Sequence, residues 1–111
     1  MTDADRTALL RFITETVLEW KLSVDHSTQS RLCWESPEGY IYYKAQLESW
    51  HGIGLIVEAM EKRGWLYTIG TSISPISVTA VFYETIRIHQ ASDTRPWLAV
   101  FAACRKAWRE E

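Results

Sequence analysis

Three histidines, two cysteines and a cluster of tyrosines beside a tryptophan are the side chains here with the most chemistry to offer. His26, His51 and His89 fall in three different segments, and none has a second ligand two to four residues away, as metal sites usually require. A zinc site would have to be assembled in three dimensions from His51, His89 and Cys33; no metal and no other cofactor is expected. Cys33 and Cys104 stand in apolar surroundings without Cys-x-x-Cys spacing, which reads as a pair of buried reduced thiols. The serines lie in loops without a nucleophile-elbow pattern, and Glu58 and Glu61 fall on the solvent side of a helical stretch. HGIGL (51–55) lacks both the lysine and the preceding strand of a phosphate loop. No catalytic residue is assigned and the reading is non-enzymatic, with a small enzyme of unknown reaction kept as an alternative.

The aromatic cluster Trp34, Tyr40, Tyr42 and Tyr43 is the strongest local feature. Tyrosine and tryptophan give large amphipathic contact area at low entropic cost, and both are enriched at protein interfaces. Trp34, Tyr40 and Tyr42, with His26 in the adjoining loop, are therefore the candidate partner-binding residues. The competing reading is that the rings cover the open end of a sheet. Alternation places Ile41 and Tyr43 on one face, Tyr40 and Tyr42 on the other.

These side chains need a scaffold, and 111 residues suffice for one domain (1–111) with a core of its own. Apolar residues make up 47% and charged residues 23%, a globular balance. The net charge of −2 supplies no general field for nucleic acid, so nucleic-acid binding is disfavoured and a protein partner is expected. The acidic start MTDADRTALLRF is unlike a signal peptide, and no apolar run reaches membrane length. A cytoplasmic protein without membrane contact follows. An exposed sheet edge is compatible with a homodimer.

A first helix is expected to about residue 20, capped by Asp3 or Asp5, with Leu9, Ile13, Val17 and Trp20 at helical spacing. KLSVDHSTQS (21–30) reads as a loop. RLCWE and YIYYK flank a turn and suggest a small hairpin. In the second helix Trp50, Ile53, Val57 and Met60 share a face, and Gly64 supplies the left-handed end. From Trp65 the period becomes two, giving a strand, then ISVTAVFY (76–83), then a tight turn at Glu84 and Thr85 into IRIHQ (86–90). The last helix starts near Thr94 and Pro96, carries the stripe Trp97, Phe101, Cys104 and Trp108, and lies on the sheet. The fold class is α+β: an α/β/α layered sandwich, its three-stranded antiparallel meander flanked by helices, plus the hairpin in the N-terminal half.

Helix, three strands, helix is also the order of a double-stranded-RNA-binding domain. The opening of the last helix, SDTRPWLAV, has only Arg95 where such domains present a basic turn, and its other cations stand at the far end, where the dipole repels phosphate. Arg31, Lys44, Arg87 and Arg95 would have to carry this alternative. The run SWHGIGLIVEAMEKRGW, then VTAVFY, then HQASDTRPWLAVFAACRKAW, resembles the phage ABA sandwich domain family. The resembling features are Glu61–Lys62–Arg63–Gly64–Trp65, Phe82–Tyr83, Ala91 and Thr94–Arg95–Pro96, with Glu19–Trp20–Lys21 ending the first helix. The resemblance implies a layered α/β/α sandwich in a small phage or prophage accessory protein, one that works by binding a host or phage macromolecule. Inhibition of host antiviral defence, CRISPR included, is an activity that such a resemblance suggests. It assigns no catalytic residue.

Overall fold

The computed structural model describes residues 2–25, 31–73 and 76–109. Helix α1 spans Asp3–Arg11. Its cap is Thr2, not Asp3 or Asp5: the Thr2 hydroxyl accepts the Asp5 N–H at 3.1 Å, and the Asp5 carboxylate accepts the Thr2 N–H at 3.2 Å. This reciprocal box satisfies two donors that the helix start would otherwise leave bare. The expected single helix then widens into a π-helical segment, Phe12–Val17. The Thr14 hydroxyl bonds back to the Leu10 carbonyl at 2.9 Å, and the Trp20 N–H reaches the Thr14 carbonyl at 2.8 Å. Leu9, Ile13 and Val17 are buried, as helical spacing required; the helical segment stops at Val17, short of the expected end near residue 20, and Trp20 is buried from beyond it.

The stretch read as a loop opens instead with a strand, β1 (Lys21–Asp25), antiparallel to β2 (Arg31–Glu35), which pairs in turn with β3 (Ile41–Tyr43). The expected hairpin is thus the second half of a three-stranded sheet. Its first strand escaped notice because the alternation of Leu22 and Val24 is only five residues long and runs straight into the polar stretch DHSTQS. Cys33 and its neighbour Trp34 are both buried, so both faces of β2 are covered there.

A single turn, α2 (Lys44–Leu47), leads into α3 (Trp50–Lys62), whose cap residue Ser49 accepts the His51 N–H at 3.2 Å. Ile53, Val57 and Met60 are buried as expected, but Trp50 is 67% exposed and leaves the apolar face. At φ 89° Gly64 takes the left-handed conformation, and the Trp65 N–H bonds the Met60 carbonyl at 3.0 Å, closing the helix.

Strands β4 (Leu66–Ile73), β5 (Ile76–Tyr83) and β6 (Ile88–Asp93) form a second antiparallel sheet in that order. Val78, Ala80 and Phe82 are its buried row. The turn before β6 is longer than expected: the Glu84 N–H bonds the Arg87 carbonyl at 2.9 Å, and the strand starts at Ile88 and runs through Ala91, Ser92 and Asp93. Helix α4 (Pro96–Arg109) follows. Four consecutive residues, Leu98 to Phe101, are buried, which at about 100° per residue leaves no side of that turn in solvent. The last helix is therefore central rather than peripheral, packed by β5 and β6, by α3, and by α1 with its π-helical extension. One hydrophobic core joins these elements. The architecture is an α+β layered sandwich, and no helix among the described residues is long and apolar enough to cross a membrane.

The start of α4 also departs from expectation. Thr94 is not the capping residue; the Asp93 carboxylate accepts the Arg95 N–H at 2.9 Å and its guanidinium at 3.1 Å. Partial burial acts to raise the Asp93 carboxyl, but the bonds from Arg95 outweigh it and hold the group below its ordinary 3.8. A depressed carboxyl contributes fully above its unfolded value and loses that contribution as pH falls through the folded one. Asp93→Ala is expected to cost about 1 kcal/mol at neutral pH. In chemical denaturation, the gap between variant and parent should narrow as pH is taken below 3.8.

Candidate functional site

An open cleft of about 620 Å³ lies between the turn joining β2 to β3, the end of the π-helical segment, α3 and the C-terminal turn of α4. The turn is stapled by its own polar groups. The Ser36 N–H donates to the Tyr40 carbonyl at 2.9 Å, the Ser36 hydroxyl accepts the Tyr40 N–H at 3.2 Å, and Gly39 takes φ 90°. Only glycine adopts that conformation without steric cost. Tyr40 is thus presented on a hydrogen-bonded turn and remains 66% exposed.

Behind it the aromatic rings form a stack. Trp20 and Tyr42 lie with centroids 4.8 Å apart and 29° between planes, and His51 continues the stack from Tyr42 at 5.5 Å and 18°. The facing wall is built by Leu55 and Ala59 of α3, with Glu58 and Lys62 ion-paired at 3.5 Å. At its end the Arg63 guanidinium lies 3.9 Å over the Trp108 ring, a cation–π contact across α3 and α4. Glu19, on the rim, holds φ 59°, the one non-glycine residue with positive φ among those described. Left-handed backbone at a non-glycine residue is costly, and such strain concentrates at sites that use it. Carboxylates (Glu19, Glu38, Glu58) and cations (Lys62, Arg63) both line the cleft, so it favours neither sign alone.

The structure divides the sequence candidates. Tyr40 and Tyr42 come together in this cleft. Trp34 does not: it is 1% exposed, directly opposite Tyr42 in the β2–β3 register, and belongs to the core. Trp34 stands on the middle strand of its sheet and joins the hydrophobic core. His26 lies outside the described residues. His51 is spent on the Tyr42 stack, His89 packs edge-on against Trp65 at 5.8 Å, and Cys33 and Cys104 are buried and not joined in a disulfide. Among the described residues no group of three or more histidines, cysteines and carboxylates could hold a metal ion.

Sequence reasoning missed Trp20, Leu55, Ala59, Arg63 and Trp108 as cleft residues. Trp20 and Trp108 end their helical stripes, and a stripe's last residue is the one most free to overhang its neighbours; that was the available signal. Of the residues that would carry nucleic-acid binding, Lys44 pairs with Glu48 at 3.5 Å, Arg95 with Asp93 at 3.1 Å, and Arg87 with Glu84. Each is held by a carboxylate of its own chain. No protein-family model, no curated protein and no solved structure matches this chain.

Proposed function

We propose that this chain is a non-catalytic binding protein, a phage- or prophage-type accessory factor that captures a segment of a partner protein in the aromatic cleft. The observation that carries this reading is Tyr40: a large amphipathic residue, two-thirds exposed, held on a stapled turn beside the Trp20–Tyr42 stack. A hydrogen-bonded turn loses little freedom on binding, and aromatic anchors next to a pocket are where binding energy concentrates. The mixed charge of the rim suits a polypeptide better than a polyanion. Interference with host antiviral machinery is the activity the family resemblance adds to this reading.

The test is capture from a bacterial lysate with the parent chain and with Tyr40→Ala. Tyr40→Ala is expected to leave stability within about 0.5 kcal/mol, as surface substitutions do. It should weaken capture by roughly 30-fold, the loss typical of a hot-spot aromatic. Tyr42→Ala should weaken capture too, and cost about 1 kcal/mol of stability through the lost stacking. A captured protein retained equally by Tyr40→Ala would overturn the cleft as the binding site.

A further inference from the structure

The second sheet has one undefended edge. In the order β4-β5-β6 the outer side of β4 has no neighbouring strand, and residues 64–83 include no charged side chain. An open edge strand presents unpaired N–H and C=O groups to any other strand, and proteins blunt such edges with lysine, proline, charge or shortness. The other edges of the described sheets are blunted in these ways. Along β6 the Lys106 ammonium donates to the Gln90 carbonyl at 2.8 Å, and Asp93 adds a charge. β1 carries Lys21 and Asp25, and β3 is only three residues long. β4 is eight residues long, uncharged and free of proline, with Leu66, Tyr67 and Ile73 exposed on it.

We propose that β4 pairs antiparallel with β4 of a second copy of this chain, joining two sheets into one of six strands about a two-fold axis. Two-fold pairing sets a strand against itself, so any charge near the axis would meet its own like. β4 has none along its whole length, and is therefore compatible with itself in a way that lysine-guarded β6 is not. A foreign strand chosen by charge would find nothing on it to read. With the axis at Ile69, Tyr67 faces Thr71 of the second copy, an aromatic–β-branched pair of the kind that stabilises sheets. Thr68 then faces Gly70, whose missing side chain leaves open space. None of the residues lining the aromatic cleft comes from β4, so the dimer and the cleft stand or fall separately.

Sedimentation of the full chain over a dilution series tests the pairing. The expected result is a reversible species of twice 12.9 kDa. Thr68→Lys, which sets like charges beside the axis, should weaken it at least about tenfold. Ser92→Lys, on the same face but at the β6 edge, should leave it intact. Backbone amide exchange on the unaltered chain gives a second readout, with protection in residues 66–73 rising with concentration. A monomer at about 100 μM, a Thr68→Lys dimer as tight as the parent, equal weakening by Ser92→Lys, or concentration-independent exchange in β4 would each overturn the proposal.

Discussion

Gly52→Ala should destabilise this protein by about 3 kcal/mol or more, at the upper end of what overpacking costs. The same change two residues on, at Gly54, should stabilise it by about 0.5–1 kcal/mol. Both glycines lie in the first turns of α3, where helix propensity alone would give the two substitutions one sign. Their surroundings differ. A Cβ at Gly52 would stand 1.8 Å from the Leu47 carbonyl oxygen and 2.8 Å from its carbon, whereas a Cβ at Gly54 meets nothing within 4 Å. The obstacle is backbone, so no side-chain rotation relieves it. α2 cannot step aside either, because Leu47 is itself anchored in the core. The close approach that Gly52 permits is thus made against the turn of helix before it. Urea denaturation of the two variants checks the pair, and equal effects of one sign would refute the argument.

Trp34→Ala should cost about 3–5 kcal/mol, the range for removing a large aromatic from a packed interior. Domains of this size hold about 5–15 kcal/mol in all, so this one change removes a large share. The expectation inverts what the sequence suggested for Trp34, which was a contact made at the surface. It also separates two rings of the same cluster: Trp34→Ala should lower the denaturation midpoint sharply, while Tyr40→Ala should leave it nearly unmoved. A loss below about 1 kcal/mol at Trp34, the size of an ordinary substitution, would mean that its ring is not the core element described here.

The contrast shows which features a single chain makes legible. Where one face of an element is buried and the other wet, periodicity reports it: β5 and the Ile53–Val57–Met60 face of α3 were readable for that reason. Where burial comes from two sides, periodicity is silent. Cys33 and Trp34, adjacent and both buried, look like any aromatic hairpin, and β1 looks like a polar loop because its short alternation is followed at once by DHSTQS. The isoleucines near β6 misled in the opposite sense. Ile86 and Ile88 are exposed, while His89, Ala91 and Asp93 point toward the packed face, so an alternation read from hydrophobicity started the strand two residues early. Of the candidate site, Tyr40 and Tyr42 were legible from residue type alone. The wall opposite them was not, because α3 and α4 reach the cleft only through the tertiary fold.

The central position of α4 carries a consequence for the order in which the protein is made. Every element it packs against, from α1 to β6, precedes it in the chain. At a synthesis rate of about 5–20 residues per second, those elements emerge with their common partner still unmade. Val78, Ala80 and Phe82 then have no helix to cover them, and the uncharged β4 lies open beside them. The core closes around the last helix to arrive, so the nascent chain passes through a stage, about a second long, when its most adhesive surfaces are bare.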